Sequence, residues 1–574
     1  MILSDTFLTF VETTMTIKPL GICLFLTLMG CQQGSSEDPS NTKAETAKQS
    51  MDVDKITVDS LTAHIKMLSS DEFGGRAPAS AGESLTIKYI EDQFRKAGLT
   101  AGNGDSFTQK VPLASIEVTN QPELTISSKQ GAVLNLKYSD DQVVWTRQQV
   151  DGVSIDGSEL VFVGYGINAP ERDWNDYAGV DVKGKTVVIL VNDPGYATQD
   201  PELFNGNAMT YYGRWDYKFD EAARQGAAAA IIIHDTKPAS YGWSTVSASW
   251  TGPQFDTVRT DRQAGLLSIE GWLTKEHAVT LFKNSNLDLD EMYTAAKTVG
   301  FKAVEMELTA SVSLENKLAF IDSNNVIGMV KGSETPDEVF IYMAHWDHLG
   351  TDEKIEGDGI YNGALDNATG TSGLIEIAKA FAESKPKRSV VFIAVTAEEQ
   401  GLLGSAHYAA NPVFPLSKTI GGINMDGLNN FGATKDVTVI GLGLSQIDKY
   451  LEKHAKAQNR FLKPDAEAEK GYFYRSDHFE LSKLGVPMSY PKPGYDHREK
   501  GLEYGHKMKE KYIKNNYHGP SDEYDPSWDL TGAVEDLRLY FLTGKEIVNS
   551  GDWPEWNEGT EFKSVRDEMM DSKE

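Results

Sequence analysis

Two stretches of the chain alternate between short apolar runs and stripes of apolar residues at helical spacing. Residues 57–68 and 82–97 both show the helical pattern. In the second, Leu85, Ile87, Tyr89, Ile90 and Phe94 supply the stripe and Gly98 a stop. Between them, Asp71-Glu72-Phe73-Gly74-Gly75-Arg76-Ala77-Pro78 is rich in turn formers and predicts a loop. From about residue 320 strand-like runs at 339–343, 389–395 and 422–425 alternate with helical patterns at 373–383 and 402–410. Such alternation predicts a mostly parallel sheet covered by helices on both faces.

The texture between these stretches differs. Residues 159–166 and 185–191 are apolar runs bounded by glycine or lysine, and the alanine-rich 219–230 predicts a helix running into Ile231-Ile232-Ile233. Gly164-x-Gly166 lacks the third glycine and helix start of a dinucleotide loop. Segments flanking an insertion can share one core. The expected plan is therefore a catalytic α/β domain, 56–115 and 312–550, interrupted by a β-rich insertion at 116–311. A tail at 551–574 follows. The fold class is α/β, a mostly parallel mixed sheet flanked by helices, with an inserted β-rich domain.

Composition narrows the partners. The 574 residues carry a net charge of −29, with a pI near 4.8, which argues against nucleic acid as a partner. A well-solvated acidic surface is the simpler account. Only Cys23 and Cys31 occur, both near the start. Residues 20–29 form an apolar stretch too short to span a bilayer, flanked by Lys18, as in the core of a signal peptide. Leu28-Met29-Gly30-Cys31 resembles the bacterial lipobox, which implies a signal peptide over 1–30, a lipidated Cys31 and a polar tether over 31–55. Asp5 and Glu12 are foreign to such a leader, so Met15 is the expected start. The mature chain would hold no disulfide and would rest on its core and any metals. It is expected to be exported and lipid-anchored in the bacterial envelope, at the periplasmic face of the outer membrane.

Candidate chemistry gathers where the apolar runs end. His345-Trp346-Asp347 follows 339–343, and residues i and i+2 at a strand end share a face. A carboxylate there can hold the second nitrogen of a metal-binding imidazole. Asp366, in the polar turn 358–367, is either a helix N-cap or a ligand. Glu398-Glu399, Asp426 and the loop residues Tyr517-His518 complete the series, with Asp358 kept as a loop carboxylate. Two histidines and several carboxylates at successive strand ends suit a dinuclear site for a borderline cation such as Zn²⁺. Open α/β sheets also bind ligands at those ends.

In order, His345-Trp346-Asp347, Asp366-Asn367, Glu398-Glu399-Gln400-Gly401, Asn424-Met425-Asp426 and Tyr517-His518 resemble the motifs of the co-catalytic zinc peptidases. That family groups bacterial secreted aminopeptidases with glutamate carboxypeptidases, and the likeness covers roughly 55–115 and 315–550. It implies two zinc ions per chain. His345 and Asp426 would hold one, Glu399 and His518 the other, and Asp366 would bridge them. Asp347 would orient the first site, Glu398 would act as general base, and Tyr517 would help stabilise the oxyanion. The implied activity is peptide hydrolysis, foremost as an aminopeptidase. The alternatives are a carboxypeptidase using Arg475 and the lysines of 507–511, a one-metal glutaminyl cyclase, and an inactive receptor-like protein. Ser476-Asp477-His478 also resembles a family motif and is expected to line the site, whereas His348, His407 and His497 lack matching context and are expected to be structural. Residues 184–188 and 222–228 resemble a protease-associated domain.

Overall fold

The computed structural model describes residues 53–572. The expected signal peptide, with Cys23 and Cys31, and nearly all of the tether lie outside the described residues. Among those described, no helix is long and apolar enough to cross a membrane.

The two early helices form where the spacing places them, as α1 (Val58–Leu68) and α2 (Ala81–Ala97). Ser80 caps the start of α2 by accepting from the Glu83 amide, and Gly98 ends it at φ 91°, a conformation glycine adopts without cost. The segment between them is a tight turn over Asp71–Arg76, with Gly74 and Gly75 at positive φ.

The sheet that carries the candidate site is built mainly from eight strands. They are β1 (Thr108–Val118), β2 (Val304–Val330), β3 (Thr335–His345), β4 (Arg388–Val395), β5 (Thr419–Asn424), β6 (Asp436–Ile440), β7 (Phe461–Pro464) and β8 (Met488–Pro493). Their spatial order is β1-β2-β4-β3-β5-β8-β6-β7. The central run β4-β3-β5-β8 is parallel and its outer neighbours β2 and β6 are antiparallel, so the sheet is mixed and mostly parallel at its centre, as the alternation predicts. Val339 to His345 of β3 and all of β4 and β5 are buried, which is why their sequences are continuously apolar rather than alternating. Helices α3 (Thr369–Ala382) and α4 (Leu403–Ala410) follow β3 and β4, while α5 (Leu502–Asn515) and α6 (Thr531–Asn549) come from the C-terminal half. One apolar core, with Phe94, Leu374, Phe381, Phe392 and Phe541, fills one face of the sheet; another, with Ile341, Ile393 and Tyr408, fills the opposite face.

The middle of the chain forms a second sheet with its own two cores. Strand β2 belongs to both sheets: residues 304–315 pair in the second, 316–330 in the first. The chain leaves the first sheet after Val118, and Pro253–Thr257 returns from the middle segment to pair with β1. The predicted helix at 219–230 is shorter and earlier, Trp215–Arg224, because Ala229 and Ala230 already belong to strand Ala229–His234. The expected tail at 551–574 is corrected as well. Trp556 and Phe562 are buried, the Trp556 indole donates to the Gly485 carbonyl at 2.9 Å, and Lys563–Asp571 is a helix.

Candidate metal centre

Three neighbouring parallel strands deliver most of the cluster from their C-terminal ends. His345 is the last residue of β3, Glu398 and Glu399 follow β4, and Asp426 follows β5. Ala397, just before the two glutamates, and His518 hold φ of 53° and 54°. Such backbone strain in non-glycine residues concentrates at functional sites.

Asp366 lies at the middle. Its Oδ1 is 3.3 Å from His345 Nε2 and its Oδ2 3.4 Å from His518 Nε2. His518 Nε2 is also 3.0 Å from Glu399 Oε2, and His345 Nε2 is 4.0 Å from Asp426 Oδ1. The N-cap alternative for Asp366 is set aside: the side chain that reaches the first turn of α3 is that of Asn367, whose Oδ1 accepts from the Gly370 amide and also from the Gly427 amide after β5, both at 2.9 Å. The Asp366 amide is held instead by Asp522 Oδ2 at 3.1 Å.

Each carboxylate has a brace. Asp426 Oδ2 accepts from Ser476 Oγ at 2.7 Å and Tyr490 OH at 2.8 Å, so Ser476 supports the cluster from behind rather than lining it. Asp477 receives Ser405 at 2.7 Å, and the buried His478 packs between Phe473 and Tyr490. Asp347 shares the face of His345, as the spacing predicts, but its role differs in detail. The imidazole Nδ1 meets the Asp347 main-chain oxygen at 3.3 Å, with the carboxylate at 3.8 Å. That carboxylate accepts from the amides of Glu398 at 3.1 Å and Glu399 at 3.4 Å, bracing the turn that presents both glutamates.

His348 corrects an expectation. It is buried and its Nδ1 lies 2.6 Å from Glu399 Oε1, so it is part of the centre. Asp522 and Arg76 were also missed by sequence reasoning. Arg76 donates to the carbonyl oxygens of Trp346, Leu68, Asn362 and Gly363, tying the end of β3 to the loop before Asp366. The one signal for His348 was its adjacency to Asp347; Asp522 and Arg76 carry none in their local pattern. His497 is structural as expected, its Nδ1 accepting from the Glu499 and Lys500 amides. Tyr517 stacks on His518 with ring centroids 3.9 Å apart and stands in the cavity wall.

The side chains fit a bound dication. His345, Asp366 and Glu399, and likewise His345, Glu398 and Asp426, offer ligand atoms within 4.8 Å of one another. The buried His345 Nε2 and His348 Nε2 have no hydrogen-bond partner among the described residues. Burial opposes charge on His345, yet the carboxylates of Glu398, Asp366 and Asp426 outweigh it and raise its pKa well above the ordinary value. His518 is pushed up to about 10: burial opposes this too, but Asp366 and Glu399 prevail. A field this negative favours added positive charge, and a metal binding there would displace those protons. Burial, reinforced by neighbouring carboxylates, raises Glu398 well above the ordinary glutamate value.

The centre opens into a cavity of about 350 Å³, whose walls include Asp366, Glu398, Asp426, Phe431, Tyr495 and Tyr512. Helix α5 contributes Met508, Lys509, Tyr512 and Ile513.

Several known proteins share part of this chain. A zinc metalloprotease, described as probable, from Pyrenophora teres is 34% identical over 118 residues, covering 21% of this chain and 25% of the relative. Aminopeptidase NAALADL1 of Mus musculus is 32% identical over 122 residues, 20% of this chain and 15% of its own length. The chain thus spans about a quarter or less of these two curated relatives. The solved aminopeptidase of Aneurinibacillus sp. strain AM-1 aligns over 87% of this chain and 96% of its own, at 21% identity and a TM-score of 0.48. Residues 325–542, which hold every imidazole and carboxylate of the cluster, match the model of Peptidase family M28.

Proposed function

We propose that the protein is a zinc-dependent exopeptidase, an aminopeptidase, whose His345, Asp366, Glu399, Asp426 and His518 would hold two zinc ions. The observation that carries this is the division of the Asp366 carboxylate, one oxygen toward His345 and the other toward His518. On this basis His345 and Asp426 would hold one ion, and Glu399 and His518 the other. Names borne by the matching relatives, zinc metalloprotease and aminopeptidase, support the same activity. The intact ligand set favours two metals over the one-metal cyclase and over a receptor with a dead site.

When bound, the ions would supply a water of lowered pKa and polarise the scissile carbonyl. The chain's own residues do the rest. Glu398, in the cavity wall, takes the water proton and returns it to the leaving amine. Positive charge held in the cluster would bring its raised pKa back down, so that it is ionised and ready to accept. Asp347 fixes the turn on which Glu398 and Glu399 sit, and Tyr517 faces the reacting carbonyl from the wall. The carboxylates around the centre suit a substrate with a free ammonium, and the aromatic walls suit the side chain next to it.

Metal analysis together with Glu398→Gln tests the proposal. The purified chain should hold about two zinc equivalents. The variant should keep both and lose ~10²–10⁴-fold in kcat on aminoacyl substrates. One equivalent or none, or near-normal turnover of the variant, would defeat it.

A further inference from the structure

One part of the cavity wall is a loop that two distant segments hold. After β7, residues 465–476 run through two tight turns, Ala468–Lys470 and Tyr472–Tyr474, joined at Gly471, whose φ is 62°. Asp465, Tyr472 and Arg475 line the cavity, and Ser476 braces Asp426 at 2.7 Å. Substrate wall and ligand brace therefore ride on one stretch of irregular backbone. Such a stretch keeps its shape only where something outside it holds it.

Two segments do so. From the middle of the chain, the Met209 amide donates to the Ala468 carbonyl at 3.1 Å, and Met209 Sδ packs so close to Gly471 that a Cβ there would lie 2.6 Å from it. The Tyr211 ring packs on Tyr474 and Phe479, with centroids 6.2 and 5.3 Å away. From the C-terminal end, Phe562 stacks on Phe473 at 5.8 Å. Glu561 joins the two segments. Its Oε1 accepts from the Tyr474 hydroxyl at 2.9 Å and from the Tyr211 amide at 3.3 Å. Tyr474 is buried, and burial, followed by the charge of Glu561, holds its pKa well above the ordinary value. The hydroxyl therefore stays a donor, and a hydrogen bond to a charged acceptor is about twice as strong as one between neutral groups. Glu561 itself does not line the cavity.

We propose that Glu561 is a positioning residue for substrate binding: by clasping Tyr474 to the middle segment, it fixes the wall that Tyr472 and Arg475 present to a bound peptide. The middle and C-terminal segments then act as buttresses of the cavity, although neither holds a ligand candidate. Asp426 has Tyr490 as a second brace, so loss of the clasp loosens substrate binding before it disturbs the metal centre or Glu398. The inference rests on the peptidase reading for the identity of its substrate, and the hold on the loop is measured without one.

The test uses the full-length, zinc-loaded chain and its variants Glu561→Ala, Glu561→Gln and Tyr474→Phe. With leucyl p-nitroanilide, Glu561→Ala should raise KM ~10-fold, the size of one charge-assisted hydrogen bond, and leave kcat within about twofold. Glu561→Gln keeps an acceptor oxygen and should bring KM back to within about threefold of wild type. Tyr474→Phe keeps the ring and loses the bond, so it should reproduce most of the rise, and it carries the test if Glu561→Ala does not fold. Amide hydrogen exchange over residues 466–476 should quicken ~10-fold in Glu561→Ala and Tyr474→Phe but not in Glu561→Gln. An unchanged KM in Glu561→Ala and Tyr474→Phe, a fall in kcat with KM unchanged, or equal losses in Glu561→Gln and Glu561→Ala would overturn the proposal. Failure of the wild-type chain to cleave any aminoacyl compound would defeat the peptidase reading instead. Exchange over 466–476 left unmoved by Glu561→Ala would overturn the clasp whatever the substrate.

Discussion

His348 shows how much a single imidazole can do without being a ligand candidate itself. Its Nδ1 sits 2.6 Å from Glu399 Oε1, while Glu399 Oε2 faces His518 at 3.0 Å. One oxygen is thus steered by the neighbour and the other is aimed at the centre. Partners that orient ligating carboxylates typically govern metal affinity by 10–100-fold. His348→Ala should therefore weaken zinc binding by about that factor in a competition titration against a chelator. An unchanged affinity would mean that Glu399 is positioned by its backbone alone. The residue was hard to find in the sequence for a geometric reason. His345 and Asp347 point the same way, as residues i and i+2 of an extended backbone do, although β3 itself ends at His345. By that alternation His348, three residues on, falls on the opposite face, and its approach to Glu399 is set by the irregular chain after β3. Asp366 was legible as one of two alternatives. The choice needed Asn367, whose side chain, not that of Asp366, accepts from an amide in the first turn of α3, that of Gly370.

The turn Asp71–Arg76 joins two helices by sequence and anchors the centre by structure. Gly75 adopts φ 66°, and a Cβ there would lie 2.2 Å from the Gly350 carbonyl oxygen, so the turn can press close to the loop after β3. That approach lets the Arg76 guanidinium reach four carbonyl oxygens at 2.6 to 3.0 Å. Removing it strands buried acceptors, each worth about 1–3 kcal/mol. Arg76→Met should lower stability by at least about 3 kcal/mol, read from denaturant unfolding of the zinc-loaded protein. Arg76→Lys should recover little, because an ammonium on a flexible stem cannot serve four separated carbonyls as the fork does. A midpoint within error of wild type for either variant would show that these bonds contribute nothing net. The helices and central strands were legible here because burial imposes period 3.6 or a continuous apolar run. The turn's task was not, since three of its four acceptors lie 270, 286 and 287 residues away.

At the scale of the whole molecule, the plan of one α/β body interrupted by a β-rich segment leaves open how the two sheets are joined. Strand β2 runs through both, and Pro253–Thr257 returns to pair with β1. Tyr211 packs against Phe479 with centroids 5.3 Å apart, and the Met209 amide donates to the Ala468 carbonyl at 3.1 Å. The expected lipid anchor at Cys31 remains a proposal at this scale. Cys31→Ser should move the protein from the membrane fraction to the soluble one, and an unchanged distribution in fractionated cells would rule the anchor out. The shared strand leads to a further test. Proteins of this size commonly melt in several steps, yet a continuous strand and a returning strand cannot be lost from one sheet without disturbing the other. Zinc at ~10²–10³ times its Kd stabilises the native state by about 3–4 kcal/mol per site. Differential scanning calorimetry should accordingly show one transition for the zinc-loaded chain. Chelation should lower that whole transition by a few degrees, the middle segment included, although it holds none of the ligand candidates. Two transitions, only one of them moved by chelator, would show that the sheets unfold independently and that β2 is a hinge rather than a shared beam.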